Sequence, residues 1–196
     1  LPGGPDSDRG AAAVSELSSP ARRARAGAAD DLVRAGEPAV DRLIGLVRGA
    51  DEGLRFQAVR ILEQMGHHAR SAIPALLAGL RDPEWPIPGA TADALAAIGP
   101  AARAPLREAA ADEDEAVRYW GARALGRMRG CDPERIAALA DLLDDSSPAV
   151  RAQAAAGLAA IGTPAARAAA ERRPTAAVPR AEAPGGAGLG AGGGGA

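Results

Sequence analysis

Two stretches of the chain share one pattern, and this pattern decides the fold. Residues 117–128 read VRYWGARALGRM, and residues 150–162 read VRAQAAAGLAAIG. In both, an apolar residue precedes an arginine, and apolar or small residues recur at relative positions 0, 4, 7, 8 and 11. That spacing places them on one face of an α-helix. The glycine that closes the second stretch is typical of a left-handed helix C-cap.

Further copies of this pattern occur along the middle of the chain. Residues 54–66 are a close copy, residues 87–99 a degenerate copy and residues 24–36 a fainter one. The five copies start at positions 24, 54, 87, 117 and 150, so the spacing alternates between 30 and 33 residues. A nearly constant period of this length indicates stacked structural repeats.

A second helical segment accompanies each copy, and several of these segments carry proline in the first turn, where the missing N–H costs nothing. They span residues 38–47, 73–80, 102–110, 133–143 and 164–170. Acidic residues or proline follow most of them, which favours a turn and a new helix N-terminus. The unit is therefore helix A, a short turn and helix B. We predict an all-α solenoid, or superhelix, of about five stacked units over residues 20–172, with B helices starting near the five positions above.

The composition agrees with a stack of closely packed helices. The 196 residues include 52 alanines, whereas Leu, Ile, Val and Phe together number 34. Alanine has the highest helix propensity, and small side chains let neighbouring helices approach closely. The scarcity of β-branched and aromatic residues argues against a β-sandwich or barrel.

Charge and hydropathy exclude several classes of function. A formal net charge of −2 argues against a strongly basic nucleic-acid binder. The sequence has no run of 18 apolar residues, so no membrane-spanning helix is predicted. The single cysteine, Cys131, forms neither an internal disulfide nor a cysteine metal cage, and we expect a buried or half-exposed thiol. Residues 1–5 lack a signal-peptide pattern, so a cytoplasmic protein is expected.

The two ends of the chain differ from the middle. We predict that residues 1–19 form a flexible segment, which leaves room for a partial helix, and that residues 173–196 form a disordered tail rich in proline and glycine. The tail also suits a linker. Because the chain starts at Leu1 without a methionine, we expect a processed protein or a part of a longer one.

The repeats resemble the HEAT-repeat superfamily, in particular the short PBS-lyase HEAT-like group. The resemblance rests on Val117-Arg118 and Val150-Arg151 with the Ala/Gly-Leu-x-x-Ile/Met segments that follow them. It implies an aspartate six residues before the arginine, the two forming a ladder between adjacent repeats. Asp112 precedes Arg118 by six, and Asp145 precedes Arg151 by six.

Two other units depart from this ladder pattern. Asp82 precedes Pro88 by six, so the arginine is missing there, and Gly49 stands where the aspartate before Arg55 is expected. We therefore predict a ladder that is intact in two units and broken in two. Pro88 still suits the first turn of its helix.

No group of residues predicts catalysis or a cofactor. His67 and His68 are adjacent, so their side chains are expected to diverge and make a poor chelate, and exposed loop positions are expected for both. The acidic run 112–115 lacks the ligand spacing of a calcium loop and suits a helix N-terminus instead. We expect no catalytic residue, no bound metal and no cofactor.

The resemblance implies that the B helices line the concave face and bind a partner. In the helical register, Phe56, Arg60, Tyr119 and Arg123 lie opposite the buried stripe and form a candidate aromatic and cationic patch. The alternative is that these side chains pack on a neighbouring helix or are merely exposed. Trp120, next to the stripe, is expected in the core.

The favoured function is a non-enzymatic protein-protein interaction scaffold, either a monomeric solenoid or a part of a larger chain, with no nucleic-acid partner. The first alternative is an accessory subunit of an enzyme complex, as in bilin-lyase-type HEAT proteins. A HEAT-like oxidoreductase of the deoxyhypusine-hydroxylase type is less favoured, because its His-Glu iron motifs are absent. A spacer within a longer polypeptide is the third reading.

Overall fold

A computed structural model describes residues 12–18, 22–130 and 132–171 of the chain. Those ranges contain ten α-helices of seven or more residues and no strand: α1 (Arg22–Ala35), α2 (Glu37–Val47), α3 (Glu52–Met65), α4 (Ile73–Gly79), α5 (Ile87–Ile98), α6 (Arg103–Ala110), α7 (Glu115–Arg127), α8 (Pro133–Asp141), α9 (Pro148–Ile161) and α10 (Pro164–Glu171). A short helical segment at 12–16 precedes α1, and both Ala13 within it and Leu17 directly after it are buried. The all-α prediction is confirmed.

The helices form two layers. Helices α1, α3, α5, α7 and α9 pack one after another and form the B layer, and α2, α4, α6, α8 and α10 form the A layer on one side of it. The B helices begin at residues 22, 52, 87, 115 and 148, within two residues of the predicted starts. Stacked helical hairpins of this kind make an α-solenoid, as predicted.

The periodic leucine of the repeat is buried in the core of the stack. Relative position 8 of the five copies carries one leucine each, and all five side chains are fully buried: Leu32, Leu62, Leu95, Leu125 and Leu158. Position 4 is also buried in each copy, by small residues or Thr91. The burial therefore follows the helical face that the spacing predicts.

Two glycines of α7 allow close contact with one helix of each layer. A Cβ atom added to Gly126 of α7 would lie 2.6 Å from the Cα atom of Gly157 in α9. A Cβ atom on Gly121 would lie 3.1 Å from the backbone nitrogen of Ala110 in α6. Small residues at these positions are therefore required by the packing.

Polar side chains cap the B helices. Asp51, Asp114 and Ser147 accept hydrogen bonds from backbone amides in the first turns of α3, α7 and α9. Gly162 ends α9 in the left-handed conformation with a φ of 65°. Pro88 occupies the first turn of α5, as predicted.

Some sequence predictions concern residues outside the described ranges. These are the flexibility of residues 1–11, the tail from residue 172 onward and the environment of Cys131. Within the described ranges, no helix has both the length and the apolar character needed to cross a membrane.

Candidate functional site

Arg118 on α7 binds two successive repeats at once. Its Nε and Nη2 atoms donate to the two carboxylate oxygens of Asp145, at 2.7 and 3.0 Å. Its Nη1 atom donates to the carbonyl oxygens of Asp112 and Glu113 in its own turn, at 3.1 and 2.9 Å. The arginine thus binds carbonyls in the A–B turn of its own hairpin and a carboxylate in the A–B turn of the next hairpin.

Arg55 on α3 makes the same set of contacts. It reaches both carboxylate oxygens of Asp82 at 2.8 and 3.3 Å and the carbonyl oxygens of Gly49 and Ala50 at 3.2 and 2.9 Å. Arg55 therefore takes part in the ladder although the aspartate expected six residues before it is absent, and Gly49 offers no carboxylate to the preceding repeat. The arginine uses the carbonyl of that position, which glycine supplies as well as aspartate does.

The break predicted at Pro88 exists, but a different arginine bridges it. Asp112 lacks an arginine partner at position 88, and it accepts instead from Nη2 of Arg81 at 2.6 Å. Arg81 lies in the turn after α4, and its Nε atom is also 3.8 Å from a carboxylate oxygen of Asp114. The sequence pattern missed this contact because Arg81 lies outside the helical position that the ladder normally uses.

Arg151 is the last ladder arginine in the described part of the chain. Its Nη1 atom donates to the carbonyl oxygens of Asp145 and Ser146, at 2.8 and 2.9 Å. Arg55 and Arg118 each pair with an aspartate 27 residues later in the chain. The residue 27 positions after Arg151 is Val178, which lies outside the described residues.

The ladder shifts the pKa values of its members in the direction that favours charge. Hydrogen bonds from the arginines to Asp82 and Asp145 raise the pKa values of Arg55 and Arg118. Burial pushes the pKa of Asp145 upward, but hydrogen bonds from Arg118 and the Ser147 amide outweigh burial, so this pKa lies below its usual value. These groups stay charged near neutral pH, which suits a structural role and not acid–base chemistry.

The structure does not assemble the patch predicted from Phe56, Arg60, Tyr119 and Arg123. Tyr119 is only 6% exposed and packs edge-on against Trp120 at 4.8 Å, so its predicted exposure is wrong. Phe56 is half-buried and packs against the core. Trp120 is buried, as predicted.

A glycine explains why this part of α7 is covered. A Cβ atom at Gly89 of α5 would lie 3.3 Å from ring carbons of Trp120, so the indole lies directly against the α5 backbone. The close approach of the two helices leaves the aromatic pair of α7 little access to solvent. Helical register alone does not reveal this, because it ignores how near the neighbouring helix lies.

Charged side chains from three consecutive B helices lie together on the outer surface of the B layer. We call the group of Arg60, Glu63, Asp93, Arg123 and Arg127 the B-surface cluster. Asp93 of α5 is 3.2 Å from Nη2 of Arg123 and 2.9 Å from Nε of Arg127, both on α7. Arg60 pairs with Glu63 on α3. Two of the four predicted patch residues, Arg60 and Arg123, thus belong to this cluster.

The cluster couples its helices electrostatically. Burial raises the pKa of Glu63, and the charge of Asp93 raises it further, against the opposing effect of Arg60 and Arg127. Arg123 also lies 5.8 Å from the Trp120 ring centroid, within the range of a cation–π contact. Ion pairs thus join α5 to α7, and the charges of Asp93 and Arg127 act on Glu63 of α3.

Three further features of the described residues bear on a possible site: the two histidines, the potential metal ligands and an apolar groove. His67 and His68 are exposed, and their ring centroids are only 3.9 Å apart, so the predicted divergence of the two rings is wrong. No group of three or more His, Cys, Asp or Glu side chains in the described ranges is arranged to hold a metal ion. A groove of about 610 Å³ between α8 and α10 is lined mainly by alanines, with Pro133, Ile136 and Glu171.

A match to a family profile agrees with the repeat geometry. A sequence profile described as HEAT repeats matches residues 10–95 and again residues 73–159. No curated protein matches the chain. An engineered protein of known structure is similar over 85% of each chain, at 23% identity and a TM-score of 0.45. A designed armadillo repeat protein, solved in complex with the peptide (KR)4, is similar over 83% of this chain and 86% of its own, at 20% identity and a TM-score of 0.45.

Proposed function

This chain belongs to the HEAT-repeat family, and we propose that it is a non-enzymatic scaffold that binds a partner protein on its B layer. The observation that carries the proposal is the B-surface cluster, which three consecutive repeats build together. A surface shared by several repeats suits a partner that extends along the stack.

The packing of the two layers supports a concave B layer. Helices α7 and α9 approach so closely that the glycine backbones of residues 126 and 157 touch. In the A layer, the long side chains of Arg107 and Glu134 span the space between α6 and α8. A groove separates α8 from α10. A stack whose helices are closer on one side bends toward that side.

The exposure of the cluster supports direct contact with a partner. The side chains of Arg60 and Arg127 are 47% and 57% exposed, whereas Asp93 between them is 16% exposed. The arginines retain free donors while one end of each is held by a carboxylate. Arginine is enriched at binding hot spots because its planar donors and apolar stem both contribute to contacts.

The non-enzymatic part of the proposal rests on the partners of the charged groups. The carboxylates of the cluster are engaged by arginines, which do not exchange protons near neutral pH. The arrangement lacks the pairing of a nucleophile with a base that covalent catalysis uses.

Site-specific photo-crosslinking in the source cells tests the proposal. A crosslinking amino acid is placed at Gln64 or Ala97 on exposed B-layer positions and, as matched controls, at Ala78 or Ala104 on exposed A-layer positions. We expect a discrete crosslinked protein from the B-layer positions and none from the controls. Crosslinks that form equally from both layers, or from the A layer alone, would contradict the proposal.

A further inference from the structure

Trp85 is the one large hydrophobic side chain of the described residues that is strongly exposed, at 68%. The chain has four residues of the types Phe, Tyr and Trp. The three others, Phe56, Tyr119 and Trp120, pack against the core or within it. Trp85 lies in the turn between α4 and α5, whereas the residues of the B-surface cluster lie within helices α3, α5 and α7. Its exposure is not explained by the packing of the repeats.

The turn that carries Trp85 is held in place on both sides. Asp82 receives two hydrogen bonds from Arg55 and a third from the Glu84 amide at 3.0 Å. The Ile87 amide donates to the Glu84 carbonyl at 2.9 Å, and Pro83 and Pro86 restrict the backbone further. The indole is thus presented by an ordered turn, which lowers the entropic cost of using it as a contact.

Trp85 belongs to a series of turns that together carry a net negative charge. The A–B turns and the first turns of the following helices span residues 48–55, 81–86, 111–118 and 144–151, and we call them the turn edge. It contains ten carboxylates and five arginines, a formal charge of −5 in a chain of −2. Seven of its carboxylates are exposed, whereas Arg48 and Arg81 are its only exposed arginines, and Arg81 is paired with Asp112 and Asp114. The accessible charge of the turn edge is therefore mostly negative.

We propose that Trp85 is the contact point for a basic segment of a partner protein, with an arginine or lysine of that segment on the indole face. Tryptophan is the aromatic side chain that attracts cations most strongly, and nearby carboxylates add to the attraction. Within the described ranges no arginine of the chain itself lies over the Trp85 ring, so its face is open to a cation from outside. The exposed indole provides the contact, and the negative charge of the turn edge favours a basic partner segment over an acidic one.

Titration with synthetic octapeptides tests this contact. The probe is an arginine octapeptide, and the comparison peptides are a citrulline octapeptide, which has nearly the same shape without charge, and a glutamate octapeptide. Binding is followed by calorimetry and by the indole N–H signals in NMR spectra, where Trp85→Leu identifies the Trp85 signal. Thermal melting establishes that this surface variant is folded.

We expect the arginine peptide to shift the Trp85 indole signal and to bind about fivefold more weakly to Trp85→Leu. Arg60→Ala/Arg127→Ala on the B layer should bind the peptide as the parent does, which separates this contact from the proposed scaffold surface. Unchanged affinity in Trp85→Leu, an unmoved Trp85 signal, or equal binding of the citrulline or glutamate peptide would overturn the inference.

Discussion

Arg118 and Asp145 are 27 residues apart and join two neighbouring repeats through two hydrogen bonds of 2.7 and 3.0 Å. The same arginine holds two carbonyl oxygens of its own turn, and Arg55 repeats the arrangement with Asp82. Each ladder arginine therefore fixes the end of one hairpin and the position of the next. This connection sets the relative placement of the B helices whose surface we propose as the binding site.

Replacing Arg118 by lysine tests whether the ladder needs the guanidinium. Lysine keeps the charge but lacks the planar donors that reach a carboxylate and two carbonyls together. We expect a loss of about 2 kcal/mol in the free energy of unfolding, because hydrogen bonds that involve charged groups are lost. Urea denaturation followed by circular dichroism measures it.

Arg60→Lys is the matched control for this change, because Arg60 is exposed and forms a single ion pair within its own helix. We expect an effect below about 0.5 kcal/mol there. Equal losses in the two variants would show that the ladder contributes no more than an ordinary surface pair.

The close contact of α7 and α9 predicts a sharp penalty for a single methyl group. In Gly126→Ala, the new Cβ atom would meet the Gly157 Cα atom at 2.6 Å, and backbone atoms on both sides must move. We expect a destabilisation of about 2 to 3 kcal/mol, typical of an overpacked core. Differential scanning calorimetry detects it as a lower melting temperature.

Gly45→Ala is the matched control for the glycine contact. Gly45 is also helical, but a Cβ atom there would have no neighbour within 4 Å. We expect stabilisation by up to about 1 kcal/mol, because alanine favours the helix. A stabilised Gly126→Ala protein would refute the direct contact between the two B helices.

The fold could be predicted because burial in each unit follows a local period. The leucine at relative position 8 identifies the buried face from the sequence alone, and the five copies agree. The ladder was only partly predictable. Its aspartates and arginines are visible six residues apart within a unit, but the actual pair is formed 27 residues apart, between units. Arg55 also binds the backbone carbonyl of Gly49, and any residue at position 49 would supply that carbonyl. The residue type at position 49 therefore could not predict this contact.

The substitute contact at the degenerate repeat is expected to be weak but measurable. Arg81→Ala removes the ion pair with Asp112, whose partners are 50% and 26% exposed, and we expect a loss of about 0.5 kcal/mol. Asp112→Ala should cost about 1 to 1.5 kcal/mol, because its carboxylate also accepts a hydrogen bond from the Asp114 amide. Urea titrations of both variants check the order, and a larger effect for Arg81→Ala would contradict it.

The ladder carboxylates make the stability depend on pH with a definite sign. Hydrogen bonds from the Asp114 amide and Arg81 lower the pKa of Asp112, and the pKa of Asp145 is also lowered. Their stabilisation is complete above the unfolded pKa of about 3.9 and is lost as pH falls through the lower folded values. We expect the melting temperature to fall below about pH 4, and less steeply in Asp145→Asn.

The pKa of Glu63 is shifted in the opposite direction, so its effect on stability changes with pH in the opposite sense. Its pKa is raised by burial, so its contribution is complete below its unfolded pKa and is lost as pH rises through the folded value. Glu63→Gln should therefore gain stability relative to the parent protein as pH rises from acid to neutral. A gain confined to low pH would contradict the assigned environment of Glu63.

The binding surface was less predictable than the fold. Helical register placed Tyr119 and Arg123 on the same outward face, but Trp120 packs onto Gly89 and the aromatic pair is buried. The predicted patch did not include Asp93, which occupies the same helical register as Arg60 and Arg123 and joins Arg123 and Arg127 in the structure. The distance between neighbouring helices decides both outcomes, and no single repeat contains that information.

The affinity of the crosslinked partner for two matched double variants tests the scaffold proposal most directly. Arg60→Ala/Arg127→Ala removes two exposed, ion-paired arginines from the B layer, and Arg70→Ala/Arg107→Ala removes two from outside it. Isothermal titration calorimetry with the purified partner should show binding weakened about tenfold by the B-layer pair and changed less than about twofold by the other. The reverse order, or equal affinities for both variants, would contradict the claim that the B layer binds the partner.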